Sequence, residues 1–300
     1  MYVITGATGH TGTAAARTLL SRGHRVRALG RSADRLRALA AEGAEPFVCD
    51  VTDAKKLTEA LQGAQAAYVM VPPNLTSNDY RAYQEEVADA IARAVAKATV
   101  PFVVSLSSVG ADKPDKTGPV LGLHSLEQKL NRIDGTNVLH LRAGYFMENT
   151  LAQLGPIQAL GKAAGPLRPD LKLPMIASRD IGSVAANLLL QLDFQGKQTR
   201  ELLGQRDLTM AEATKIVGAA IGKPDLSYVQ LPDDQVRAAM TQLGMSSSFV
   251  DLLLEMTRAL NTGYMKALEP RSARNTTPTS YEQFVAETFV PLFKEQTKAA

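Results

Sequence analysis

Three glycines spaced three apart, Gly6, Gly9 and Gly12, follow directly on the β-favouring run Tyr2-Val3-Ile4-Thr5 and lead into the helix-forming stretch Ala14 to Leu20. Strand, glycine turn and helix in that order can cradle the pyrophosphate of a dinucleotide. Gly6 permits the tight turn, Gly9 puts no Cβ in the way of a close approach, and Gly12 lets the helix pack near the sheet. The first amides of the helix and its positive dipole end then face the phosphates. Gly6, Thr8, Gly9, His10, Thr11 and Gly12 are therefore the candidate binding turn. The next strand, Arg25 to Leu29, ends in Gly30-Arg31-Ser32, without the acidic residue that would take a ribose 2′-hydroxyl. Arg31, with Arg35 nearby, is either a grip for a 2′-phosphate, which selects NADP(H), or a solvated surface arginine. Asp50, with Val51 beside it, either accepts from an adenine amino group or joins the cap of the helix behind it, a task Thr52 or Asp53 can also perform.

These residues need elements to hold them. Glu45 to Cys49 reads as a third strand, the apolar run Ala66 to Val71 as a fourth and Val100 to Ser105 as a fifth, with helical patterns between them. Continuous apolar strands alternating with helices predict an α/β fold, a doubly wound parallel sheet of the Rossmann type. In such a sheet ligands lie beyond the carboxyl ends of the strands, where Gly6 to Gly12, Arg31, Asp50, Val71-Pro72-Pro73-Asn74 and Ser107-Ser108 all fall. Val71 and Pro72 join the cofactor set on that ground. A helix over about 123–133 and a strand over Val138 to Arg142 follow, with His140 alternating among leucines as a structural residue would.

Beyond residue 150 the texture changes to Gly-Pro loops and capped helices, including the capping box Thr209-Met210-Ala211-Glu212 and a cap at Ser280. The chain thus divides into a nucleotide-binding domain over residues 1–150 and a smaller, mostly helical lobe over residues 151–300, some of whose segments return to the sheet. A length of 300 residues suits that arrangement. A net charge of +3 without a basic run argues against nucleic acid. One cysteine and four scattered histidines argue against a disulfide or a metal site. No segment approaches the roughly 18 apolar residues of a membrane span, and the chain opens on the glycine turn rather than on a signal peptide, so a cytoplasmic protein is expected.

The motifs together resemble the short-chain dehydrogenase/reductase superfamily and, within it, the atypical NmrA-like branch. The resemblance rests on Thr5 to Gly12, Ser107-Ser108, Leu126 to Leu130, Leu141 to Asn149 with its particular Phe146-Met147-Glu148-Asn149, Asp180-Ile181 and Thr279 to Phe284, and so spans nearly the whole chain. It implies NADP(H) bound by the N-terminal domain and a substrate or partner held by the C-terminal lobe. The branch includes NADPH-dependent quinone and azo-dye reductases, and also redox-sensing regulators that bind the dinucleotide without turnover.

The sequence departs from the superfamily at its proton donor. The usual Tyr-x-x-x-Lys is replaced by Gly122-Leu123-His124-Ser125-Leu126-Glu127-Gln128-Lys129, with no tyrosine between Tyr83 and Tyr145. His124 either substitutes as the acid or merely begins a helix near solvent, and Ser107 or Ser108 can orient a carbonyl, which makes Ser108 and His124 the catalytic candidates. Quinone reduction needs little acid assistance, because the acceptor is already electron-poor. Two functions follow: hydride transfer from NADPH to a quinone-like or other conjugated small molecule in a pocket of Pro73, Tyr145, Phe146 and Met147, or a redox sensor acting through a protein partner. A homodimer is compatible with either.

Overall fold

In a parallel sheet covered on both faces, odd and even residues of a strand must both be apolar, and the strands at the centre of the sheet obey this. In the computed structural model, which describes residues 1–299, β1 (Tyr2–Ile4), α1 (His10–Leu20), β2 (Val26–Gly30), α2 (Ala33–Ala41), β3 (Glu45–Val48), α3 (Ala54–Leu61), β4 (Ala66–Val69), α4 (Tyr80–Lys97), β5 (Phe102–Ser108), α5 (Val120–Asn131) and β6 (Asn137–Ala143) alternate strictly. Tyr2, Ile4, Tyr68, Val104 and Leu139 face one core beneath α1 and α2, while Val3, Val69, Val103 and Val138 face a second core beneath α3, α4 and α5. The period of two along each strand thus produces two layers of helices.

The chain continues through β7 (Tyr145–Phe146), a 3-10 turn (Met147–Gln153), α6 (Leu154–Leu160), β8 (Ala163–Gly165) and β9 (Leu173–Ile176). Then come α7 (Ser178–Gln191), β10 (Lys197–Leu202), β11 (Arg206–Leu208), α8 (Met210–Ala220), β12 (Tyr228–Gln230), α9 (Asp233–Gln242) and α10 (Ser247–Asn261). Last are α11 (Tyr281–Phe284), a π-helical turn (Val285–Phe289) and α12 (Val290–Ala299). The main sheet has seven strands in the order β10-β6-β5-β4-β1-β2-β3, all parallel. The strand order reverses between β1 and β4, and the gap outside their carboxyl ends is the topological switch point. β10 is the seventh strand, pairing Lys197–Leu202 with Val138–Ala143, and α7 covers the sheet beside α1. The remaining C-terminal segments form a mostly helical lobe around two small sheets, β11-β9-β7 and β12-β8, with its own core of Met147, Met175, Phe284 and Phe289. The capping box at Thr209 and the cap at Ser280 both form.

Two element boundaries differ from the sequence reading. α5 starts at Val120, because Pro119 with φ −59° is already set for a helix start, so His124 lies in the second turn of α5. β5 runs through Ser108, since its register with β6 continues from Phe102↔Asn137 to Ser108↔Ala143. His140 is structural, as expected: Ser105 donates to its Nδ1 at 2.6 Å, Nε2 donates to Asn131 Oδ1 at 3.0 Å, and burial pushes its pKa down to about 4.

α1 and α7 touch backbone to backbone. A Cβ on Gly182 would overlap the Thr11 carbonyl and lie 2.6 Å from the Ala14 Cβ. Gly182→Ala should cost about 1–3 kcal/mol by overpacking and lower the thermal midpoint, whereas Ser183→Ala, at a half-buried position one residue further along the same helix, should stay within about 0.5 kcal/mol. Thermal denaturation followed by circular dichroism checks both.

Candidate functional site

The glycine turn is built from contacts that leave no room for side chains. Thr5 Oγ1 accepts from the Met70 amide at 3.1 Å, tying the end of β1 to the end of β4. Gly6 has φ +60°, and a Cβ there would overlap Met70 Sδ. A Cβ on Gly12 would overlap the Gly6 carbonyl, so its absence lets α1 close on the end of β1, with Ala15, Ala16 and Leu19 packed against Tyr2 and Ile4. Gly9 differs from both, because a Cβ there would meet only Gly6 O at 3.4 Å and otherwise stand in open, exposed space. Gly9 is also the N-cap of α1 and carries no capping side chain, so the amides of His10, Thr11 and Gly12 keep their donors free at the positive end of an eleven-residue helix. The Thr11 hydroxyl is turned inward and accepts from Tyr68 at 3.0 Å, which leaves Thr11 only its amide to offer. Thr8 is half-buried, His10 is exposed, and the Thr8 methyl closes the turn against Gly30.

The next strand ends bring their own groups to the same crevice. Arg31 is exposed, and among the described residues it has no hydrogen bond or ion pair. Asp53, not Asp50, caps α3, accepting from Lys55 and Lys56 at 3.1 and 3.0 Å. Asp50 folds one oxygen, Oδ1, back on Thr52, at 3.0 Å from its amide and 2.9 Å from its hydroxyl. Val51 and Val71 are buried beside it, and half-buried Pro72 uses its carbonyl to accept from Tyr83 at 3.0 Å. Burial pushes the Tyr83 phenol up, the positive charge of Arg31 pulls it down, and Asp50 pushes it up again. Tyr83 therefore marks the point where Arg31, Asp50 and Pro72 converge. The sequence reading missed it, because a tyrosine in the first turn of an amphipathic helix looks like core packing.

A cavity of about 550 Å³ continues from this crevice past the ends of β4, β5 and β6, walled on the far side by the C-terminal lobe. Pro73, Ser107, Ser108, Tyr145 and Phe146 line it, together with Leu123, Leu171, Leu173, Met256, Leu260 and Met265. Met147 does not. The 3-10 turn that begins at this residue sends its side chain into the lobe core with Leu154 and Ile157, where it is 1% exposed. Tyr145 lines the cavity and packs against the lobe core, where burial pushes its phenol up to about 12. Its hydroxyl also lies close enough to those of Tyr228 and Tyr281 to raise both.

The two catalytic candidates part company. Ser108 lines the cavity, with its hydroxyl donating to the Val109 carbonyl at 3.0 Å. His124 is absent from the cavity wall; its Nδ1 donates to the Ala111 carbonyl at 2.8 Å, and its neighbour Leu123 faces the cavity instead. Lys129 reaches the other way, to Asp89 at 2.5 Å and Glu85 at 3.3 Å on α4. Among the described residues no group of three or more His, Cys, Asp or Glu side chains is placed to hold a metal, and no helix is long and apolar enough to cross a membrane. Cys49 is buried at the end of β3, its thiol pushed up to about 11 by burial.

Comparison with known proteins agrees with this architecture. A family model described as the NmrA-like family matches residues 2–285. An NAD(P)H azoreductase of Xenophilus azovorans is 29% identical over 258 residues, covering 85% of this chain and 86% of the relative. Quinone oxidoreductase 2 of Escherichia coli K12 is 28% identical over 260 residues, covering 85% and 86%. The crystal structure of NADPH-dependent quinone oxidoreductase QOR2 from Escherichia coli, complexed with NADPH, superimposes with a TM-score of 0.80 at 23% identity over 96% of this chain and 100% of that one.

Beneath the cavity floor lies a charged network that the sequence did not announce. Glu127, 2% exposed, accepts from Ser107 Oγ at 2.5 Å and from Arg142 at 3.0 Å through Nε and 2.6 Å through Nη2. The bidentate pair holds β5, α5 and β6 in register and drives the Arg142 guanidinium further up. Because the Ser107 proton goes to Glu127, that hydroxyl offers the cavity lone pairs, not a donor. Arg142→Met should therefore destabilise the protein by about 3–5 kcal/mol, by stranding a buried carboxylate, and the double variant Glu127→Gln/Arg142→Met should recover most of the loss. Urea unfolding of the single and double variants measures this directly.

Proposed function

The chain belongs to the NmrA-like family, and on that premise we propose that it is an NADP(H)-dependent oxidoreductase that delivers hydride to a quinone-like or other small conjugated acceptor. The observation that carries this reading is continuity: the open face at Gly9 and the free amides of α1 lead along Val71 to Pro73 into an apolar cavity floored by Ser107 and Ser108. The crevice fits a dinucleotide on its own chemistry. A side chain on Gly9 would fill the space a pyrophosphate needs, and the unpaired Arg31 suits a 2′-phosphate. The amides of His10, Thr11 and Gly12 would hold the pyrophosphate. Asp50 would meet the adenine with the oxygen it does not spend on Thr52, beside Val51, and Val71 and Pro72 would line the path to the nicotinamide end.

The reduced nicotinamide, when bound, supplies the hydride. The protein's own part is to orient an acceptor and exclude water. Tyr145 and Phe146 offer flat apolar surface to a conjugated ring, and Ser107 offers an acceptor for an amide or hydroxyl hydrogen. Among the described residues α5 supplies no proton donor to the cavity floor: it has no tyrosine, His124 is bound to Ala111, and Lys129 is held by Asp89 and Glu85. That suits an electron-poor acceptor, whose reduced form takes its proton from water at the mouth.

Two measurements test this. Purified protein mixed with NADPH and a panel of small quinones and azo dyes should consume NADPH with at least one of them. Tight NADPH binding, weak NADP+ binding and no turnover across the panel would overturn the reading in favour of a redox sensor. Arg31→Asp should weaken NADPH binding by about ten- to a hundredfold, the worth of one or two charge-assisted hydrogen bonds, while leaving NADH binding equal or better in the same titration.

A further inference from the structure

Most residues lining the acceptor cavity are apolar, yet two lysines, Lys172 and Lys266, stand on its lobe-side wall. Both are exposed, and among the described residues neither makes a hydrogen bond or a salt bridge. The carboxylates around them are already committed. Asp207, which shares the wall, is ion-paired with Arg271. Glu212, whose carboxylate feels the charge of Lys172, is spent on the capping box at Thr209, accepting from its amide at 2.8 Å.

The position of Lys266 is also built rather than incidental. It sits between Met265, buried against Ala111 and Val120, and Leu268, whose amide donates to the buried Glu201 carboxylate at 2.9 Å. Further along, Arg271 donates to the Leu203 carbonyl at 3.1 Å, and Asn275 O accepts from the Leu203 amide at 2.8 Å. Lys172 immediately precedes β9, which pairs with both β7 and β11. Two fixed backbones therefore hold two lysines that have no hydrogen bond or ion pair among the described residues at one largely apolar cavity.

We propose that Lys172 and Lys266 form an anion-recognising edge of the acceptor cavity, so that this protein prefers conjugated acceptors carrying a sulfonate, carboxylate or phosphate group. This rests on the reading of the cavity as the acceptor site. The ring lies against the Tyr145 and Phe146 surface and the acidic substituent points to the lysines. The charge sits on a part of the molecule that does not react, so it contributes binding energy without entering the chemistry.

The test compares a naphthoquinone with the same ring carrying a sulfonate, and naphthol with its sulfonate as pair members that cannot be reduced. With NADPH, the sulfonated quinone should show a KM about tenfold below the neutral one, as two partly screened ion pairs allow, and the advantage should shrink as salt is added. Lys172→Met/Lys266→Met, which keeps the apolar stems, should raise the ratio of sulfonate KM to neutral KM by about tenfold. Calorimetry on the NADP+-loaded protein should show the naphthol sulfonate binding more tightly than naphthol, with the difference lost in the double variant and NADP+ affinity retained. Equal binding of the two naphthols, a KM ratio unchanged in the variant, or an equal loss of NADP+ affinity overturns the proposal. Turnover of the neutral quinone alongside such a result leaves the oxidoreductase reading standing. Lysine-dependent binding of the sulfonate with no quinone reduced would instead remove that reading and keep the anion site.

Discussion

Gly12 lies so close to the carbonyl of Gly6 that no side chain fits between them, and Gly6 in turn lies against Met70 at the end of β4. This near-contact of two backbones sets where α1 begins relative to β1 and β4. It thereby sets where the free amides of the helix point. The same helix is fixed on its other side by Gly182 of α7, whose Cα lies against the backbone at Thr11, and by the buried bond from Tyr68 to Thr11. One short helix start is thus held from the sheet, from the turn and from a helix that arrives much later in the chain. Of the three glycines in this turn, Gly9 alone is left open.

The cavity floor depends on a second constraint of a different kind. Glu127 is almost wholly buried, and a lone carboxylate there would be untenable. Arg142 answers it from β6 and Ser107 from β5, so the three elements bounding the floor share one network. Helix α5 spends its inward positions on structure. Glu127 holds the floor, Leu123 lines the cavity, and Lys129 pairs with α4.

The lobe is tied to the sheet through the segment after α10. Glu201 on β10 gathers the amides of Leu268 and Glu269, Arg271 caps the carbonyls of Leu203 and Gly204, and Asp180 at the start of α7 accepts from Thr279 at 2.7 Å. These bonds carry Met265 and Lys266 to the mouth of the cavity. The far wall is therefore positioned by the same strand, β10, that extends the nucleotide-binding sheet.

The local pattern of the sequence determined a great deal. The strand-turn-helix order around the three glycines and the apolar strand runs alternating with helices are local patterns, and they specify the parallel sheet covered by helices on both faces. The sequence also placed Arg31 at a strand end, and it stands there, exposed just past β2. What only the tertiary structure decided involves residues far apart in the chain: that Lys197–Leu202 becomes a seventh strand, that Glu127 belongs to Arg142 and Ser107, that Met147 turns into the lobe core, that His124 is spent on Ala111, and that Lys172 and Lys266 share one wall. Local pattern says which face of an element is apolar. Which partner that face or charge meets is settled only when distant segments close on one another, because buried charges and backbone contacts are satisfied in space and not along the chain.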